Sequence, residues 1–343
     1  MAETNQPTPC MSLNALKRAV SILSISCLLF FTKCQKADTG NDYISFIDNL
    51  DTIETTEVTF FKGESGVYSP LFLDVTENGN VVIVEGSTWR VNLFDNEGNK
   101  LSEAGGVGSG PGEFRVINNV LATSENKILV LDKKLKRLTV YDIQDDKLIL
   151  ESTKQLPDNS TYNIEDIYYT ENDGYYGVFS KRGQRSGMTL SREVYKLDDN
   201  LVMSEKLTTL PEDEILNKDT PSQDWGFGFV TKWDFTNNSL VHSRSESLSW
   251  SSYNLTTEKY DSISVSDVLE YQKTDAEEEY MINRVRPIIQ QSPEIREIIE
   301  DRERLSLFLN IVVDSDHIYH TVVNFAGEPG YVLQIDRSSK AMK

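Results

Sequence analysis

The sequence predicts an all-β fold, a β-propeller of four-stranded antiparallel blades carrying a short helical insert. Two observations predict it. Asn80 to Asp95 (NVVIVEGSTWRVNLFD) and Lys127 to Asp142 (KILVLDKKLKRLTVYD) superimpose without a gap at an offset of 47, so that Glu85 falls on Asp132, Arg90 on Arg137 and Phe94 on Tyr141. A period of that length is the mark of a repeated supersecondary unit. Around these copies, short segments rich in Val, Ile, Thr and Tyr alternate between apolar and polar residues and are punctuated by turn signals, as antiparallel strands require.

The N-terminus reads as an export segment. The strongly apolar run Ala19 to Thr32 follows Lys17 and Arg18. It falls short of the roughly 20 residues that span a bilayer, and its charged start and apolar middle fit a secretory signal. All three cysteines, Cys10, Cys27 and Cys34, lie in this segment, which excludes a disulfide framework for the folded body. A single Cys closing the apolar run resembles a bacterial lipoprotein signal, with Cys34 as the lipidated residue, although Lys33 stands where such signals carry a small residue. The expected division is a signal over 1–34, a tether over 35–43 and the propeller over 44–343.

The strands follow in order. Leu71 to Thr76 leads through the hairpin signal Asn78-Gly79 into Val81 to Glu85, then Trp89 to Asp95 and a strand from Lys100. The second copy repeats this order to about Leu150. Weaker echoes give a third unit over Asn163 to Leu207, a fourth over Lys232 to Val265, and a fifth over Leu307 to Asp336 whose outer strand is missing or very short. The strand Thr52 to Phe61 has no unit of its own. An open blade edge leaves unpaired backbone groups, so this segment is expected beside the last unit. The length accommodates five to six units.

A helical insert over about 266–304 separates units four and five. Thr274 and Glu277 form a capping box, Met281 and Val285 share a face, and Pro287 ends that helix. Ser292 caps a second, with Pro293 at its first position and Ile295, Ile298 and Ile299 as its apolar stripe. The hairpin is expected to cover part of the disc.

With Gly105 to Phe114 (GGVGSGPGEF), then ILVLD, then KRLTVYD, the chain resembles NHL repeats, and its layout resembles the six-bladed β-propeller lipoproteins of Bacteroidetes-type bacteria. That resemblance implies a six-bladed fold and a place in the cell envelope, periplasmic or at the outer membrane, and implies no reaction.

The residues themselves exclude several function classes. A formal charge of −20 repels nucleic acid. The glycine-rich segment lacks a Walker ending and is followed by a strand, so it reads as a crossing between blades with Phe114 in the core. The recurring Glu85 with Arg90, and Asp132 with Arg137, are expected to form a structural ion pair or hydrogen bond across each hairpin, since a catalytic residue has no reason to recur in consecutive blades. His317 and His320 point to opposite faces of a strand, His242 is isolated, and no nucleophile motif is present. The best candidate for recognition is Trp225, Phe227 and Phe229, aromatics spaced by glycines that suit stacking on a glycan, a peptide or a protein surface. The expected function is a binding or scaffold module acting through one face of the disc, without a cofactor and touching the membrane only through its lipid. The alternative is a hydrolase or lactonase of the gluconolactonase type, with a divalent cation held in the central channel by converging carboxylates and amides.

Overall fold

The computed structural model of the chain describes residues 67–338 apart from 158, 160, 171–172, 182–188, 215–229, 237, 246–248, 265–272, 291–292, 303–307 and 323–330. The signal with Cys34, the Thr52 to Phe61 segment and the Trp225, Phe227 and Phe229 loop lie outside the described residues.

The first sheet holds β1 (Pro70–Val75), β2 (Val81–Glu85), β3 (Arg90–Phe94) and β4 (Lys100–Gly105). The second holds β5 (Ile117–Ala122), β6 (Lys127–Asp132), β7 (Arg137–Gln144) and β8 (Lys147–Gln155). The third is built from β9 (Tyr162–Thr170), β10 (Gly174–Lys181), β11 (Thr189–Leu197) and β12 (Met203–Glu214). A fourth follows with β13 (Thr231–Thr236), β14 (Ser239–Arg244), β15 (Ser249–Asn254) and β16 (Tyr260–Ser264). The fifth has three strands among the described residues, β17 (Phe308–Val313), β18 (His317–Val322) and β19 (Tyr331–Asp336). Each sheet is an antiparallel meander in chain order. The short fifth unit expected from the sequence is therefore present as three strands.

The meanders stand around an axis with their first strands innermost. β1 packs against β5, β5 against β9 and β13 against β17. Two carboxylates fasten these neighbours directly: Asp74 Oδ2 accepts the Ala122 N–H at 2.7 Å and Asp234 Oδ2 accepts the Val313 N–H at 2.7 Å.

Burial between sheets explains why the second strand of a unit reads as a continuous apolar run. Side chains alternate across a strand, and both faces of β6 are covered. Ile128 and Val130 pack toward the first sheet with Val82, Val84 and Val91, while Leu129 and Leu131 pack toward the third with Ile164, Ile167 and Phe179. Each such side chain contributes about 1.5–3 kcal/mol when fully buried. Tyr168, Tyr176 and Val178 then meet Phe235, Leu240 and Tyr253 between the third and fourth sheets.

The glycine-rich crossing runs from β4 to β5. Gly105 has φ +87°, and a Cβ there would stand 2.8 Å from the Phe114 ring and 3.0 Å from the Trp89 carbonyl oxygen. Only glycine accepts both constraints. Phe114 is fully buried, and its N–H and carbonyl bond Gly106 and Gly108 at 2.7 and 2.9 Å.

The insert forms α1 (Asp275–Arg284), the single turn α2 (Arg286–Ile289) and α3 (Glu294–Asp301). The Thr274–Glu277 capping box is present. Pro293 opens α3 in helical conformation (φ −59°, ψ −27°) and makes no side-chain cap; the expected cap at Ser292 lies outside the described residues. Met281, Val285, Ile295 and Ile299 are fully buried on one another.

Candidate functional site

The recurring acids do not pair with the recurring arginines, and the expected ion pairs are corrected in both copies. Glu85 faces Arg90 and Asp132 faces Arg137 in register, but each side chain finds other partners. Glu85 accepts the N–H groups of Tyr68 (2.6 Å) and Ser69 (3.0 Å) on one oxygen and the Ser87 hydroxyl (2.6 Å) on the other. Burial raises its pKa, and these hydrogen bonds outweigh the burial, leaving the carboxyl below its ordinary value. Asp132 accepts the N–H of Arg115 (2.7 Å) and of Leu135 (2.7 Å). Tyr68 and Arg115 are equivalent at the period of 47, so both acids hold the chain as it turns into the first strand of their sheet. With the carboxylates saturated by backbone donors, the arginines turn elsewhere. Arg90 is exposed and pairs with Glu103 on β4. Arg137 is buried and donates to the carbonyls of Ser109 (3.1 Å), Gly110 (2.8 Å) and Glu113, locking the glycine-rich crossing.

At the axis, Asp166 on β9 stands between side chains of both neighbouring sheets. It accepts from Asn119 Nδ2 and, at 3.4 Å, from Trp233 Nε1. Part of its surface remains open, yet protein surrounds it closely enough that desolvation, with Asp234 adding to it, pushes its pKa up to about 7. The Arg192 guanidinium lies 4.9 Å over the Trp233 ring and bonds the buried Asp213 at 2.5 Å. The converging ligand set needed for a divalent cation is not what these groups form. Asp74 and Asp234 are taken up by backbone N–H groups, and among the described residues no group of three or more His, Cys, Asp or Glu side chains is arranged to hold a metal. The histidines do not converge either. His320 accepts the Trp250 indole N–H and burial lowers its pKa to about 3; burial lowers that of His242, on β14, to about 4.

A cleft of ≈ 360 Å³ opens between the second and third sheets. Lys133 and Lys136, in the β6–β7 turn, stand at its border with the β8–β9 crossing, where Leu156 and Asn159 also line it. Tyr162, Phe179 and Met203 complete the wall. Tyr162 is held firmly: its hydroxyl donates to Glu193 Oε2 at 2.7 Å, and its ring meets Phe179 and Tyr195 edge-on at 6.4 and 5.9 Å. Burial raises the pKa of Glu193, but Lys206, Tyr162, Tyr195 and Lys181 together bring it down to about 2. Asn159 Oδ1 accepts the N–H groups of Thr161 (2.9 Å) and Tyr162 (3.1 Å), which fixes the crossing. Lys133 bonds Glu165 at 2.8 Å.

Sequence reasoning missed this cleft because a crossing between sheets carries no motif. A signal existed all the same: the turn that reads Gly86-Ser87-Thr88-Trp89 in the first copy reads Lys133-Lys134-Leu135-Lys136 in the second, a gain of three lysines within four positions of the repeat.

Residues 73–286 match a family described as 6-bladed beta-propeller. Comparison with curated proteins finds no match. Among solved structures, the chain is similar to a Bacteroides fragilis NCTC 9343 protein described as exported, with 14% identity, TM-score 0.50 and coverage of 84% of this chain and 74% of that one. It is also similar to a member of the duf4221 family from Bacteroides vulgatus ATCC 8482, with 12% identity, TM-score 0.49 and coverage of 84% of both chains.

Proposed function

The chain belongs to the 6-bladed beta-propeller family, and from that premise we propose that it is an exported binding module of the cell envelope, held at the membrane by a lipid on Cys34 and recognising its ligand on one face of the disc. The observation that carries this reading is the cleft between the second and third sheets. Small-molecule sites are concave, mostly apolar and largely pre-formed, with a few placed polar groups. The cleft has that character, its Tyr162 wall fixed through Glu193. The axial carboxylates Asp74 and Asp234, by contrast, are occupied in fastening one inner strand to the next, which supports recognition over metal-assisted hydrolysis.

The test is to extract the mature protein gently from envelopes and examine it by native mass spectrometry, metal analysis and lactone-hydrolysis assay. The expected result is a metal-free, inactive protein that carries a bound small molecule, glycan, peptide or protein partner in stoichiometric amount. One equivalent of divalent metal together with lactone turnover would overturn the reading in favour of a hydrolase.

A further inference from the structure

We propose that the cleft between the second and third sheets binds a small amphiphilic anion, a molecule with an aromatic or aliphatic body and one carboxylate or sulfonate end. The inference rests on the reading of the chain as a binding module and deepens it. Three observations meet here. The volume of ≈ 360 Å³ lies in the range of about 300–1,000 Å³ found for small-ligand pockets. Its body is apolar: Leu156, Phe179 and Met203 line it beside Tyr162. Aromatic rings offer large apolar faces at low entropic cost, and the unbranched thioether of Met203 adapts to ligand shape.

The third observation is charge. In a chain of formal charge −20, the β6–β7 turn carries Lys133, Lys134 and Lys136 where the equivalent turn of the first sheet carries none, and both Lys133 and Lys136 border the cavity. Lys133 is engaged by Glu165 in a pair that is partly exposed on both sides. Such pairs contribute little, so an entering anion exchanges for Glu165 at small cost. The hairpin itself forms without lysines, since the first sheet folds the equivalent turn from Gly86 to Trp89. A neutral ligand would use the apolar wall alone, and a cationic one would meet two ammonium groups.

The experiment compares two fluorescent probes on the full mature protein: 8-anilinonaphthalene-1-sulfonate, which has fused aromatic rings and one sulfonate, and N-phenyl-1-naphthylamine, which has the same rings without it. Saturable one-to-one binding of the sulfonate, with the neutral probe weaker by roughly tenfold, is expected from one or two charge-assisted hydrogen bonds. Replacing Lys133→Gln and Lys136→Gln together should weaken the sulfonate by roughly tenfold and leave the neutral probe unchanged. Val202 is 45% exposed and lines the cleft, so Val202→Trp should fill it and abolish binding of both probes while the melting temperature stays put. Equal binding of the two probes, or sulfonate binding indifferent to the lysines yet lost in Val202→Trp, would refute the anion and leave a ligand-binding cleft. Sulfonate binding indifferent to Val202→Trp would place the probe elsewhere and remove both the anion and the cleft.

Discussion

Arg90 and Arg137 occupy the same position of the repeat and do different work, and the difference is measurable. Arg90 makes an exposed ion pair with Glu103, of a kind that contributes about 0–1 kcal/mol, so Arg90→Ala should shift stability by about 0.5 kcal/mol or less in chemical denaturation. Arg137→Ala removes the guanidinium that bonds the carbonyls of Ser109, Gly110 and Glu113 and should cost about 1–3 kcal/mol. It should also speed hydrogen exchange at the Gly106 to Phe114 amides. Equal costs for the two substitutions would restore the ion-pair reading that the geometry replaces. Asp166 yields a second prediction, with an inverted sign for an acid. Its pKa rises from 3.8 to about 7 in the folded chain, so between those values the folded state holds a proton that the unfolded state has lost. Stability attributable to Asp166 is therefore full below about pH 4, falls as pH rises toward 7 and is level above it. A carboxyl carbon titration by NMR should place its midpoint near 7, and a midpoint near 4 would show that the site is wetter than the geometry implies. At this scale the sequence was half legible. The period told which positions are equivalent, as with Glu85 and Asp132, but it could not tell how far a long side chain reaches, and Arg137 reaches across to a neighbouring crossing.

At the scale of elements, strands were legible because alternation and turn chemistry act locally. Val81 to Glu85 and Tyr331 to Asp336 are strands with the boundaries expected, and Asn78-Gly79 makes the expected turn with φ +86° at Gly79. Caps are equally local when the side chain can act, as at Thr274. The cleft was illegible because it belongs to two elements distant in sequence, Lys133 to Lys136 and Leu201 to Met203, brought together only by packing between sheets. The fifth sheet gives this scale its prediction. β19 is the last strand of its sheet among the described residues, and an uncovered edge leaves a row of unpaired N–H and C=O groups. If Thr52 to Phe61 covers that edge, a chain begun after Phe61 should melt at a lower temperature and lose several kcal/mol of a net stability of about 5–15 kcal/mol. An unchanged melting temperature would show that the segment lies elsewhere.

For the whole molecule, five sheets are described and the family is six-bladed, within the five to six units that the period of 47 allowed; a count depends on how the ring closes, which no local pattern encodes. Placement in the cell is also a property of the whole chain. No described helix is long and apolar enough to cross a membrane, and the apolar run Ala19 to Thr32 is shorter than a bilayer requires. Membrane attachment, on the proposed reading, then falls to acyl chains on Cys34. A single chain binds membranes only marginally, while two chains hold firmly, so an anchored propeller requires more than one acyl group on that residue. Cys34→Ala should accordingly move the protein from the membrane fraction to the soluble fraction and remove the acyl mass from the intact protein. Probe binding at the cleft should be unchanged, because nothing in that wall depends on the anchor. A Cys34→Ala protein that stays with the membrane, at the mass of an uncleaved chain, would show that the apolar run itself is the anchor, and the lipoprotein reading would fall while the propeller and its cleft stand.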